Sequence, residues 1–177
     1  MPRPRKDSEK ARAEVNAEGK PEVNVEDLDL GYLALFVGMR VNERVQEELE
    51  AAGFAGVRQA HGYVFQHLLG GARSISELAG LLGVTQQAAS KTVAELERLG
   101  YLEETPAEDA RVRRVQLSSR GRAAVEKARA LRTALAQRFE SAHGKRAVDA
   151  ARTLLADVLQ SLGGAEAVRT RRLRSPR

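Results

Sequence analysis

Apolar positions recur at three- and four-residue steps along most of the chain, and the interruptions fall at glycines. From about Leu28 to Ala52, Leu33, Val37, Val41, Val45 and Leu49 step by four, and Leu35, Phe36 and Met39 widen the stripe beyond what one neighbour covers. Gly53 and Gly56 end this first helix. A second, from about Val57 to Leu69, is expected to bury Ala60, Val64 and Leu68, before Gly70 and Gly71. Ser74 and Glu77 form a capping box for a third helix, which turns Leu78, Ala79 and Leu82 inward. Gly83 then supplies the positive φ of a sharp exit. Thr85 is an N-cap for a fourth helix with Ala89, Val93, Leu96 and Leu99 as its buried stripe. After Gly100 the period shortens. Tyr101 and Leu102 open a strand, Pro106 starts a polar turn, and Val115 and Leu117 alternate with Arg114 and Gln116. Ser118 caps a long helix with Val125, Ala128, Leu131, Leu135 and Phe139 on one face. Beyond Gly144, a last helix sets Val148, Ala151, Leu155, Val158 and Leu162 on a coiled-coil-like seam, with Leu154 and Leu159 off it.

Two short helices across a tight turn, then a hairpin, predict a winged helix-turn-helix inside a mainly α (α+β) fold. The surplus apolar surface of the outer helices predicts a homodimer, with N- and C-terminal dimerisation helices. The expected organisation is a disordered tail over 1–27, a domain over 28–162 and a basic disordered tail over 163–177. Within the domain, 57–118 form the DNA-binding lobe, and 28–53 and 119–162 the dimerisation helices.

The polar face of the fourth helix carries the candidate chemistry. Gln86, Gln87, Ser90, Lys91 and Ala94 share it, with the hydrogen-bonding groups in the first two turns. Amides bond adenine bidentately, Ser and Lys reach bases or phosphates, and a helix enters a major groove by its N-terminal turns. Such faces are common on soluble helices, so context decides. Between residues 111 and 122 stand Arg111, Arg113, Arg114, Arg120 and Arg122 with no acid, an expected cluster of unpaired cations for phosphates and a minor groove. Ser74, Thr85, Gln86, Gln87, Ser90, Lys91, Asp109, Arg111, Arg113 and Arg114 are therefore the candidate DNA-binding residues.

The run "SELAGLLGVTQQAASKTVAELERLGYLEE", followed by "DAR" and "VQLSSRG", resembles the MarR family of bacterial transcription regulators. The specific elements are the TQQ opening of the fourth helix, the LERLGY junction, the Asp109-x-Arg111 wing and the return from Leu117 to Gly121. The likeness spans roughly residues 28 to 162, though Val112 stands where many members carry a second wing aspartate. It implies a dimeric, sequence-specific regulator, a repressor on palindromic operator DNA released by a small aromatic or phenolic effector. It also implies an effector pocket between dimer helices and DNA-reading lobe, for which Phe36, Arg40, His61 and Phe65 are candidates. The alternative is a winged-helix protein that coats DNA with loose specificity or contacts other proteins.

Composition adjusts this picture at the edges. Of the net charge of +5, residues 163–177 carry +4, residues 1–27 carry −1 and the domain only +2, so the high pI says little about the domain. Aromatics are 4% of the chain, so the core is built from Leu, Val and Ala. The absence of cysteine excludes thiol redox sensing and cysteine metal ligation. His61 and His67 lie six apart on one helix, a spacing that keeps their imidazoles off one face and argues against a metal. No phosphate loop, nucleophile elbow or paired carboxylates point to catalysis or to a cofactor. With no bilayer-length apolar run, a cytoplasmic, nucleoid-associated protein without membrane contact is expected.

Overall fold

The computed structural model describes residues 23–105 and 112–170. The first 22 residues of the expected tail, Pro106, Asp109, Arg111 and the arginines beyond Thr170 lie outside the described residues. The chain falls into two units, 1–38 and 39–177.

In the first unit a 3-10 turn, Val25–Asp27, stands where a tail is expected to run to residue 27. It is a local structure without burial, closed by the Asn24 side chain, which accepts the Glu26 N–H at 3.2 Å. The Asp29 carboxylate accepts the N–H groups of Gly31 (2.8 Å) and Tyr32 (3.0 Å), and α1, Leu30–Ala51, begins there. The Tyr32 and Phe36 rings stack at 6.4 Å, and with Leu35 and Val37 they remain about half exposed.

The second unit holds the rest of α1, then α2 (Gln59–Leu68), β1 (Arg73–Ser74), α3 (Ile75–Leu82), α4 (Gln86–Arg98), β2 (Leu102–Thr105), β3 (Arg114–Leu117), α5 (Ser119–His143), α6 (Lys145–Ser161) and α7 (Ala165–Thr170). α2 starts later than the apolar pattern suggests, because Arg58 is extended and its N–H donates to Nδ1 of His61 at 3.2 Å. His61 and Phe65 take the inward positions with Val64 and Leu68, while Ala60 is exposed. α7 lies where a disordered tail is expected from residue 163. Gly163, at φ 73°, reverses the chain, and a Glu166–Arg169 pair at 3.2 Å spans the new turn.

The core gathers Val64, Phe65 and Leu68 of α2, Leu78 and Leu82 of α3, Val93 and Leu96 of α4, the strands, and the first turns of α5. Among the described residues the sheet is antiparallel in the order β1-β3-β2. β2 and β3 pair Leu102 with Leu117 and Thr105 with Arg114. β1 adds a third strand that two residues are too few to announce by alternation, pairing Arg73 with Val115. α5 leaves the sheet through a close approach. Ser118 caps it by accepting the Gly121 N–H at 3.1 Å, and Gly121 lies against the Tyr101 carbonyl, where a β-carbon would overlap the oxygen. α6 has no buried residue, and Leu154, Leu155, Leu159 and Leu162 are exposed.

Candidate nucleic-acid interface

Local capping builds the helix pair. The Ser74 hydroxyl accepts the Glu77 N–H at 3.2 Å, and the Glu77 carboxylate accepts the Ser74 N–H at 2.6 Å. Those bonds hold the Glu77 carboxyl below its ordinary pKa. Gly83, at φ 68°, ends α3, and Val84 donates back to the Ala79 carbonyl at 3.1 Å while its side chain packs on the core. Thr85 then caps α4 by accepting the Ala88 N–H at 3.2 Å. Because Ala89, Val93 and Leu96 are buried, the helical period turns Gln86, Gln87, Ser90, Lys91 and Ala94 out to solvent. The first two turns of α4 thus offer amides, a hydroxyl and an ammonium over a small-residue floor.

The second half of α4 is held from both sides. Arg113 forks onto both oxygens of Glu97 at 2.7 Å and donates through Nε to Glu104 of β2 at 3.1 Å. These carboxylates raise its pKa above the ordinary guanidinium value. Arg58 pairs with Glu95 on another face of the helix. Arg114 donates to the Ala72 carbonyl at 2.9 Å and lies 3.5 Å from Glu77. Arg120 donates to the Gly53 carbonyl at 2.7 Å, its guanidinium carbon 4.9 Å from the centroid of the Tyr101 ring.

The expectation of unpaired arginines is therefore corrected. Arg113, Arg114 and Arg120 are bound within the fold, because their acceptors are distant in sequence and meet them only on folding. Arg113 and Arg114 still flank the hairpin beside α4, whereas Arg120 belongs to the joint between the first and fifth helices. Asp109 and Arg111 lie outside the described residues. Among the described residues no three His, Cys, Asp or Glu side chains gather as metal ligands would, and no helix is long and apolar enough to cross a membrane.

Residues 55–112 match the MarR family model. The winged-helix lobe is a MarR-family domain. No curated protein matches the chain in sequence. The chain is similar in structure to YusO from Bacillus subtilis, with 26% identity over 76% of this chain and 94% of that one, at a TM-score of 0.61. It resembles the transcriptional regulator Tm0710 from Thermotoga maritima at 24% identity, covering 76% of this chain and 91% of that one, TM-score 0.52. A mutant of Staphylococcus aureus MepR bound to an oligodeoxyribonucleotide superposes over 77% of this chain and 99% of its own, at 18% identity and a TM-score of 0.57. The helices around a small antiparallel sheet are thus the fold of MarR-family transcription regulators.

The second unit also contains a cavity of about 970 Å³. Val45 and Leu49 of α1, Tyr63 and Phe65 of α2, Val125 of α5, and Ala167 and Val168 of α7 supply apolar walls, among which stand Arg58, Arg129 and Arg132. Of the expected effector residues, Phe65 lines it. Arg40 and His61 do not, and Phe36 belongs to the first unit. Arg40 is held by Glu43 one turn along α1, and the buried His61 imidazole is turned toward Arg58 and Glu95. The arginines and α7 are the residues that the sequence pattern missed, since only the fold brings them together.

Proposed function

We propose that this MarR-family chain is a dimeric, sequence-specific DNA-binding transcription repressor, released from its operator by a small anionic aromatic effector. The observation that carries the reading is the exposed row Gln86, Gln87, Ser90 and Lys91 on the N-terminal turns of a helix whose other half is anchored by Glu95 and Glu97. A rigidly held helix with polar leading turns fits a major groove, and Asp109 and Arg111 of the wing motif are assigned to the adjacent minor groove. Ser74 and Thr85, at helix starts, and Arg113 and Arg114 beside the wing are assigned to phosphates. Dimerisation is supported by apolar surface left bare in each unit, Tyr32, Leu35 and Phe36 in the first and Leu154, Leu155 and Leu159 in the second. The apolar walls and arginines of the cavity favour an aromatic carboxylate as effector.

Selection of bound sequences from a random duplex library, with sedimentation of the protein alone, tests the reading. A dyad-symmetric consensus with half-sites about one helical turn apart, bound by a dimer, is expected. Recovery of sequences without a consensus, or a stable monomer at micromolar concentration, would favour loose DNA coating instead.

A further inference from the structure

Arg58 belongs to two places at once. Its side chain lines the cavity, and its guanidinium Nη2 bonds Glu95 on α4 and stands 3.2 Å from Nε2 of His61. Glu95 follows Lys91 by one helical turn, so whatever holds Glu95 also fixes the pitch and rotation of the face proposed to meet bases. Its side chain is 28% exposed. Among the described residues no carboxylate lines the cavity, whose other two arginines come from α5, and one of them, Arg132, donates to the neutral Asn42 amide at 2.6 Å. An anion entering the cavity therefore meets three guanidinium groups and competes for Arg58 with a carboxylate of the recognition helix itself.

We propose that Arg58 is the positioning residue that couples the cavity to α4: an anionic group bound there draws the guanidinium off Glu95 and frees the recognition helix to shift. The inference rests on the reading of the cavity as an effector site. His61 makes the exchange feasible. Its Nδ1 accepts the Arg58 backbone N–H at 3.2 Å and its Nε2 faces the Arg58 Nε donor at 3.4 Å; Nε2 also lies 3.7 Å from Glu95 Oε2, so once the guanidinium is withdrawn the ring proton of the neutral imidazole sits on Nε2 as an N–H. When the guanidinium leaves, that N–H is the replacement donor, so the half-buried carboxylate is not stranded without a partner. The helix then exchanges a charged tie for one weaker hydrogen bond. Two states of one carboxylate, each favoured by one condition of the cavity, are what linkage between ligand and DNA requires.

The test uses 2-naphthoate and its neutral counterpart 2-naphthamide as probes, with a duplex recovered from the library selection and four proteins: wild type, Glu95→Gln, Arg58→Gln and the double variant. In wild type, naphthoate should weaken DNA binding by about tenfold and naphthamide should not. Glu95→Gln removes the competitor, so it should bind naphthoate several-fold more tightly while losing the effect of naphthoate on DNA. Those opposite signs separate coupling from a structural role, which would weaken both. Equal or weaker naphthoate binding by Glu95→Gln, or undiminished release of its DNA, would overturn the proposal. If naphthoate does not bind the wild type, the effector reading is lost, and DNA affinity without ligand decides the role of Arg58. Losses in Arg58→Gln and Glu95→Gln that do not add in the double variant keep Arg58 as the residue that sets α4, and additive losses overturn it.

Discussion

Nη2 of Arg113 in the wing donates to both carboxylate oxygens of Glu97 on α4 at 2.7 Å, so the hairpin and the recognition helix are joined by a charge-assisted pair. The Glu97 side chain is 19% exposed, enough shelter for the pair to orient the wing, while Arg113 at 46% keeps an edge open to solvent. Glu97→Gln removes a negative charge from the proposed DNA face, yet it should weaken binding to the selected duplex, because a loosened wing loses its placement. Arg113→Ala should do the same, and the double variant should lose little more than either alone. Tighter binding by Glu97→Gln in a fluorescence anisotropy titration would mean that Arg113 acts only as mobile positive charge.

Gly121 is a second place where one residue decides the geometry of the lobe. Ser118 N–H donates to the Tyr101 carbonyl at 3.0 Å, its hydroxyl donates to the Gly100 carbonyl at 2.7 Å, and the first turn of α5 presses Gly121 on the same Tyr101 carbonyl. Neither backbone can yield without breaking those bonds. Gly121→Ala is expected to cost about 2–3 kcal/mol or more, as overpacking does in a tight core, and to lower the urea midpoint without changing the slope. A loss below about 0.5 kcal/mol would show that α5 can slide away from the sheet.

What was legible in the sequence was local. Ser74 with Glu77, Gly83 and Thr85 specify their caps by chemistry within a few residues, and the helical period fixes which side of α4 faces outward, so the helix-turn-helix could be drawn before any coordinates. The partners of Arg113, Arg114 and Arg120 could not, since Glu97, Ala72 and Gly53 lie 16, 42 and 67 positions away and meet them through tertiary packing. Five arginines without an intervening acid look free along the chain and are shared out in space. The α2 start differs by two residues from the expected one for a related reason, because the N-cap is Arg58, whose N–H is taken by the ring nitrogen of His61 three residues on, a pairing that cap chemistry does not announce. α7 was missed because a six-residue helix is too short for a period.

The outward row of α4 carries its own prediction. Gln87 is exposed in the first turn, two residues past the Thr85 cap, where an amide reaches a base edge with its donor and acceptor side by side. Gln87→Ala should relax base preference at one symmetric pair of positions, at roughly 1–3 kcal/mol per half-site, and leave the salt dependence unchanged because no phosphate contact is lost. Repeating the library selection with this variant reads the first effect, and affinity across a salt series reads the second. An unchanged consensus would remove Gln87 from the base-reading set.

His61 gives the chain a pH dependence whose sign follows from its surroundings. The imidazole is 1% exposed, and burial, reinforced by the neighbouring Arg58 guanidinium, pushes its pKa below the ordinary value near 6.5, against the opposing pull of Glu95. Protonation would also place a hydrogen on Nδ1, the atom that accepts the Arg58 N–H at the start of α2. In the unfolded chain the ring titrates normally. As pH falls from 7 through 6.5, the unfolded state therefore takes up a proton that the folded state refuses, and stability declines until the folded ring titrates too. The contribution of His61 is fully present above the unfolded pKa and is lost toward acid. His61→Gln keeps an acceptor for Arg58 and a donor for Glu95 without a titrating group, so its urea midpoint should fall less than that of the wild type between pH 7 and pH 5. The Glu77 carboxyl, also depressed, titrates in a lower window and is common to both proteins, so it cancels from the difference. Parallel midpoint curves for the two proteins would show that His61 is not the group that senses acid.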